Sequence, residues 1–532
     1  MKTSERGGKS MRKQHPTRPR LPERTATMLG CVALMGSLAG EAWAQTGDPA
    51  GASGAGRAAS VWIEPSVSVG ATLSSNGNAS SSNGRSELML DVTPGLRAVF
   101  NTARVKGFVD YALSAEYYLD GNSANRISNR LNASATIEAW DQRAFVDVSG
   151  SISDQSISAF GPQNLTGLND TNRSETSTFR VSPYIQGSFG SWADYQVRYA
   201  LQTLNTDTAI RSDYTSQVLS ARLGSRPVGQ QVGWFVDAST QENDYAVGRD
   251  TSSDIARAGL IVSVSPQLNV TVNAGVETND TITLQRESYN ITGMGFDWRP
   301  SLQTRLSVAV EKRYFGTGYN ASLEHRTGRT VWRYSASRSA SDSPTQAGAV
   351  AIGSNYDIVD ALLSQSIPDP ILRAQAVSQF LANFNIPPDA QNFQDFLSSS
   401  ATLNQTQQLS VALNGIRSVV TFNVTRGTTS RLDTLTTLGD DFNSNDEIDQ
   451  QSWGVSYGHR LTSITSFNAA YIDQKSSGNS GASSKRQSVS LGLSTRLAPR
   501  TSGSVQLQFG RFNNTAGSYN DAAISGRITH RF

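Results

Sequence analysis

Apolar and polar residues alternate with a period of two along most of this chain. Leu268, Val270, Val272, Ala274 and Val276 alternate with Asn269, Thr271, Asn273 and Glu277. Val105, Val109, Tyr111, Leu113 and Ala115 alternate with Lys106, Asp110, Ser114 and Glu116, and Leu306, Val308 and Val310 with Arg305, Ser307 and Glu311. Successive side chains of a strand point to opposite faces, so each such run has one apolar and one polar face. A soluble sandwich has the same period but rarely carries mid-strand charges in so many strands. The runs from 61–73 to 520–532 predict about 22 strands.

The connections alternate in length. Tight ones fall at Asn101-Thr102, Asp141-Gln142, Pro266-Gln267, Pro300-Ser301, Gly328, Gly415 and Pro499-Arg500. Between them come longer polar ones such as 74–85, 119–129, 153–175, 430–446 and 475–484, and by far the longest, 341–402. Only the connection near Gly316 breaks the alternation by being short. An even number of strands with turns short at one end and long at the other predicts a single transmembrane antiparallel β-barrel over 61–532, both termini periplasmic. Trp62, Trp140, Trp192, Trp234, Trp298 and Trp332 cluster at strand ends on the short-turn side, where indole suits a membrane interface. Tyr117, Tyr118, Tyr245, Tyr314 and Phe315 are candidates for a girdle at the other end. Pro65, Pro94 and Pro183 fall inside strands, where bulges are expected.

The segment Ile524–Phe532 alternates to its last residue. Ile524, Gly526, Ile528, His530 and Phe532 lie on one side, and Ser525, Arg527, Thr529 and Arg531 on the other. As a core strand of a soluble domain it would line the core with arginine. In a closed barrel one face meets lipid, the other a wet lumen, and no edge remains. Gly526, Ile528 and Phe532 resemble the insertion signal of Gram-negative outer-membrane proteins, with His530 a departure from it.

Composition agrees with that reading. The chain has 532 residues, 17% charged and 37% hydrophobic, and a mean hydropathy of −0.36. Beyond the N-terminal segment no run of 18 apolar residues exists that could span a membrane as a helix. A barrel gives a polar average because half of every strand is polar. Residues 1–44 read as a signal peptide. A basic leader (Lys2 to Arg24) precedes the apolar Ala26–Gly40, and Ala42-Trp43-Ala44 is a small-x-small cleavage site. Residues 45–60 are rich in Gly, Ala and Ser, a flexible lead-in too short for a globular plug. Without residues 1–44, which hold 8 of the 46 basic and 3 of the 44 acidic residues, 38 basic and 41 acidic remain. The basic balance is therefore a property of the leader and does not point to nucleic acid. Cys31, the only cysteine, lies in the apolar run, so disulfides, haem attachment and thiolate metal sites are excluded from the mature chain.

Within the long loop 341–402, residues 356–399 have helical spacing: Ile358, Leu362, Leu363, then Ile371, Ala374, Val377, Leu381, then Phe393, Phe396 and Leu397. Such an insert caps the barrel, folds into it, or packs only on itself. Leu362, Leu363, Val377, Leu381 and Phe396 are the candidates for an apolar face that narrows the pore.

Catalytic patterns are thin. The mature histidines are His325, His459 and His530, each near a short-turn end, and there is no G-x-S-x-G or H-E-x-x-H. No catalytic, cofactor or metal residue is assigned, and the chain is not read as an enzyme. Asp441, Asn443 and Asn445 open like a calcium loop, but Asp446 stands where glycine is needed and Ser452 where the closing glutamate belongs. Lys106, Asp110, Glu116, Arg198, Arg305 and Glu311 are candidates to line the lumen, either as simple lining or as contacts for sugars or ions.

Ile63-Glu64-Pro65-Ser66-Val67-Ser68-Val69, Leu90-Asp91-Val92-Thr93-Pro94-Gly95-Leu96, the Tyr111 and Tyr117-Tyr118 strand, and Phe380-Leu381 with Pro387-Pro388 carry a resemblance. The mature chain resembles the outer-membrane proteins associated with PEP-CTERM/exosortase systems. That resemblance implies a part in export or assembly of an extracellular polysaccharide and no established catalytic residues. Two functions stay open: a passive or gated pore for that polymer, or a non-transporting barrel for surface anchoring or adhesion. Expected partners are outer-membrane lipid, the barrel-assembly machinery and the polysaccharide.

Overall fold

The computed structural model describes residues 60–119, 124–166, 171–208, 213–225, 231–246, 249–341, 359, 373, 377, 396–398, 400–432, 440–515 and 517–532. They form 22 strands. The first eight are β1 (Ser60–Ser74), β2 (Glu87–Asn101), β3 (Val105–Tyr118), β4 (Arg126–Trp140), β5 (Ala144–Ser156), β6 (Arg173–Phe189), β7 (Ala193–Thr206) and β8 (Tyr214–Gly224). Then come β9 (Val232–Tyr245), β10 (Thr251–Ser265), β11 (Leu268–Asn279), β12 (Glu287–Ser301), β13 (Thr304–Arg313), β14 (Gly316–Arg326) and β15 (Thr330–Ser341). The last seven are β16 (Thr402–Asn414), β17 (Ser418–Arg431), β18 (Glu447–Arg460), β19 (Thr465–Gly478), β20 (Ser483–Ala498), β21 (Thr501–Asn514) and β22 (Gly517–Arg531).

Every strand pairs antiparallel with its neighbours in sequence, and β1 pairs antiparallel with β22. The sheet is thus closed. Every backbone donor of a strand interior finds a partner on one side or the other, which is the condition for crossing lipid without exposed polar backbone. At the seam, Ser66–Ser74 face Arg531–Ala523 in unbroken register, with Val69 opposite Ile528 and Leu73 opposite Ile524.

Alternation assigns the faces. Val69, Leu73, Leu96, Val197, Leu260, Val272, Phe509 and Ile528 are large, apolar and exposed. They stand on one face of their strands, and register matches apolar to apolar, as at Val262–Val270 and Leu507–Ile524. This is an outward lipid-facing belt, and the fold is a transmembrane barrel of the outer-membrane type. The opposite face carries the hydroxyls, amides and ion pairs.

Trp234, Trp298 and Trp332 lie on the outward face near the end where β1 begins and β22 ends, the terminal end of the barrel, opposite Leu260, Leu268 and Val411 respectively. Trp62 shares its face with Glu64 and belongs to the inward set. Tyr118 also differs from expectation. It is buried on the inward face and its hydroxyl donates to Glu116, so it is not part of an outer girdle. The β4–β5 turn is tight because Asp141 (φ 28°) and Gln142 (φ 58°) are both left-handed, the geometry that matches hairpin twist.

The three strand prolines do not cause bulges. Pro65 pairs with Leu96 in unbroken register. At Pro94 and Pro183 the ladder to one neighbour is interrupted while the register continues on both sides of the gap. Proline removes one donor without adding a residue, so pairing lapses but does not slip. The register shifts fall elsewhere, at Glu138/Trp140, Ser263/Ser265, Trp298/Ser301 and Arg496/Ala498, all beside tight turns.

The expected helical insert lies almost wholly outside the described residues, and so do Leu362, Leu363 and Leu381. Val359, Arg373 and Val377 are described singly, in helical backbone, and Val359 and Val377 are fully buried.

Candidate functional site

The inward face divides into two walls. From β5 to β14 it is laced with ion pairs. Arg198 meets Asp147 at 2.7 Å and Ser182 at 3.0 Å, and its guanidinium lies 3.9 Å above the Tyr184 ring. Arg257 is held by Asp237 and by Glu311, each at 2.9 Å, and Glu311 also accepts from Asn273 at 2.7 Å. Arg313 grips Glu277, and Arg305 meets Asp297 at 3.1 Å. Arg257 on β10 reaches Glu311 on β13 although two strands intervene. Glycines clear its path. A Cβ on Gly275 would sit 2.8 Å from Arg257 Cγ, and one on Gly293 would sit 2.6 Å from Glu311 Cγ.

The six lining candidates all stand on this inward face, but they do not form one site. Lys106, Asp110 and Glu116 are on β3, opposite Asn101, Arg97 and Asp91. Arg198 is on β7, and Arg305 and Glu311 are on β13. The structure makes Arg198, Arg305 and Glu311 members of ion pairs with other strands, β5, β12 and β10 respectively.

From β16 to β19 the inward positions are uncharged except for Arg431 and Arg460 at strand ends. They are also buried: Thr402, Ser410, Thr421, Asn423 and Asn468 are all below 5% exposed. Gln408, Thr425 and Ser452 form one row across three strands. Among the described residues, Gln408 Oε1, Asn423 Oδ1, Thr425 Oγ1 and Ser452 Oγ have no hydrogen-bond partner, a desolvation cost left uncompensated there.

The two walls are joined by the connection between β5 and β6. Its base is closed on itself: the Asn172 side chain accepts from Ser158 N at 3.0 Å and donates to Ser158 O at 3.0 Å. From there it reaches strands far from its own in the ring. Ser158 Oγ and Ala159 N each donate to the Asp441 carboxylate at 2.7 Å. Ser484 Oγ on β20 donates to Ala159 O at 2.9 Å, and Asn164 Nδ2 donates to Gly77 O, after β1, at 2.8 Å. Gln163 N donates to the Tyr519 hydroxyl of β22, which in turn donates to Gln163 O. Leu165 fills the space over Gly510, where a Cβ would come within 2.4 Å of it. Contacts between non-adjacent walls of a closed barrel can run only through or over its opening, so this connection is a strap at the end opposite the termini.

Ala159, Phe396, Phe442 and Ile448 form a fully buried cluster at the fixing point, with Phe160 packed against it. The Phe396 and Phe442 rings are 6.0 Å apart, and Leu397 N donates to Ser156 O at 3.0 Å. Phe396 was expected to gate as part of the helical insert. It does sit at the mouth, as an anchor of the strap. Asp441, Asn443 and Asn445 have the opening spacing of a calcium loop without its glycine or closing glutamate. The Asp441 carboxylate is taken up by the strap, and Asn445 ties the same turn to Asp441 O and to Ser480. Among the described residues no group of three acidic, histidine or cysteine side chains is arranged for a metal.

The three histidines stand outward near the terminal end, each beside a cross-strand hydroxyl: His325 with Thr304 at 2.9 Å, His459 with Ser418 at 2.7 Å, His530 with Thr501 at 2.9 Å. None faces a carboxylate in these contacts.

No family model and no curated protein matches this chain. Several solved structures are similar in fold. The siderophore receptor PirA from Pseudomonas aeruginosa superposes with a TM-score of 0.43 at 7% identity, over 88% of this chain and 80% of that one. PirA from Acinetobacter baumannii gives 0.43 at 9%, over 88% and 80%. The FrpB iron transporter from Neisseria meningitidis (F5-1 variant, apoprotein form) gives 0.46 at 10%, over 88% and 81%. At that distance the likeness is one of barrel architecture, and neither iron nor siderophore is carried over to this chain.

Proposed function

We propose that this chain is a gated outer-membrane pore, with both termini in the periplasm, that takes part in exporting or assembling an extracellular polysaccharide. The observation that carries the reading is the strap. It crosses between distant walls at one mouth and is fixed there by a carboxylate latch and a small apolar cluster. A tie of this kind can release without unfolding the barrel, because none of its bonds belongs to the strand ladder. The resemblance to exosortase-associated barrels supports the polysaccharide, and polar lining on both walls suits a hydrated polymer. The reading includes no catalytic role and no bound cofactor. The barrel-assembly machinery is the proposed insertion partner.

The buried, uncharged wall favours a second reading, a filled barrel that anchors surface material without transport. Releasing the strap separates the two. Asp441→Ala removes both latch bonds, and Phe442→Ala removes the central ring, which costs about 3–5 kcal/mol when fully buried. In planar bilayers the pore reading expects either variant to conduct more than the parent and to admit larger solutes, while the barrel stays heat-modifiable. Unchanged conductance from a well-folded Asp441→Ala, Phe442→Ala double variant rejects the gate and leaves the anchor.

A further inference from the structure

The wall at the seam carries two parallel rows of side chains. Arg527, Gly70, Asp91, Glu116 and Arg126 stand directly opposite one another across β22, β1, β2, β3 and β4. Two residues nearer the termini runs a row of hydroxyls. Thr529 faces Ser68, which faces Thr93, and Ser114 faces Ser128. Thr93 and Ser114 bond at 3.1 Å beside the ladder gap at Pro94, and Ser68 and Thr529 bond at 2.8 Å. Strand spacing sets the backbone positions of each row roughly 4.8 Å apart, and the two rows are roughly 7 Å apart along the strands.

Against these rows lies a cavity of about 530 Å³, within the range of roughly 300–1,000 Å³ usual for small-molecule sites. Thr93, Ser114, Asp91, Glu116 and Arg527 line it, and Leu165 and Thr166 of the strap border it. Gly70 stands directly opposite Asp91 on β1. A Cβ there would sit 2.3 Å from Asp91 Oδ1, so the absence of a side chain lets Asp91 lie along the wall. Asp91 is 2% exposed; its Oδ2 accepts from Arg527 at 2.8 Å, and its Oδ1 has no hydrogen-bond partner among the described residues.

The lining selects by chemistry. A long polyanion would meet Asp91 and Glu116 side by side. A polycation would meet Arg126, Arg130 and Arg527. An apolar ligand would find little beyond Leu165, Met89, Ala112 and Val505. An uncharged polyol suits both rows: its hydroxyls donate to the carboxylates, accept from the guanidiniums, and do either with the serine and threonine row.

We propose that this cavity is a subsite for a short stretch of uncharged saccharide lying across the strands beneath the strap. The proposal rests on the pore reading above and adds the class and place of the ligand. The test uses the full mature chain in planar bilayers. The probes are maltotetraose, cellotetraose and chitotetraose, with polyethylene glycol of matching mass, spermine and tetragalacturonate as controls. At least one neutral tetrasaccharide should block the current about tenfold longer than any control, a difference residing in the off-rate. Asp91→Asn and Gly70→Leu should each shorten that block about fivefold or more, whereas Ser335→Ala on another wall should not. Equal dwell for sugars and controls, or dwell insensitive to both seam variants, overturns the subsite while leaving the pore standing. If the protein does not conduct, the pore reading fails separately. Calorimetry with the same three sugars then decides the subsite: heat of binding lost in Asp91→Asn supports it, and no heat rejects it.

Discussion

The inward walls of β5–β14 and β16–β19 come from the same strand geometry but differ in what they carry and how covered they are. The first holds charges in cross-strand pairs, and most of the side chains stay partly wet: Arg257 is 30% and Glu311 23% exposed, while the covered Glu277 is held by Arg313. The second holds no charge between its end arginines: it carries hydroxyls and amides with small or apolar residues such as Ala412, Val419 and Ile448, and most of it is buried. Covering a charge costs far more than covering a hydroxyl. The neutral wall can therefore be shut off from water at modest cost, even with four side-chain atoms left unbonded, while the charged wall must keep its partners or its water. The strap follows the same division. It springs from β5, at the edge of the charged wall, and fixes itself beside the neutral one, at Phe442 and Ile448.

The strongest way to break this contrast is to put a charge in the covered wall. Asn423→Asp should cost at least about 3 kcal/mol, because the new carboxylate is buried and its cross-strand neighbours, Ser410 and Gly454, are uncharged. Gln196→Glu, on the partly wet inward face of β7, should shift stability by less than about 1 kcal/mol. The fraction of heat-modifiable barrel and the urea midpoint after refolding into vesicles measure both. Equal losses would show that the walls do not differ in kind.

A smaller effect sharpens the charged side. Gly293→Val should push Glu311 off its path and cost about 1–3 kcal/mol by overpacking. Combined with Glu311→Ala it should cost less than the single changes summed, since the displaced side chain is gone. Additive losses in that double-mutant cycle would mean that Gly293 matters for the backbone alone. The smallest change serves as a control outside both walls. Gln142 holds a left-handed conformation at φ 58°, so Gln142→Gly should be neutral or raise stability by at most about 1 kcal/mol.

Much of the barrel was legible in the chain. Two-fold alternation places Val272 and Glu277 on opposite faces without any knowledge of their neighbours, and the turn lengths fix the parity of the strands. The inward placement of Lys106, Arg198 and Glu311 follows from the same rule. Their partners do not, because cross-strand register depends on the turns: nothing near Arg257 in sequence announces Glu311. The strap was not legible at all. Residues 157–166 have no period, read as one more polar loop, and bond to Asp441, which lies 282 and 283 residues away from its two donors. The same distance hides the role of Asp441: the sequence around it argues against a cation loop, but nothing in it names the donors, which lie in another loop. At the prolines, composition suggested bulges where only single hydrogen bonds were lost.

The seam between β1 and β22 has a consequence for assembly. Its contacts, such as Ser68 with Thr529, join residues 461 apart. Closing so large a loop is entropically slow and brings no reward until both strands are in place. Every other neighbour pair can zip locally as the chain arrives, but a barrel lacking its closing partner presents two long unpaired edges at once, an invitation to join another copy. Ring closure is therefore the committed step of folding. A membrane carrying this protein needs something to shield β1 for as long as β22 is absent.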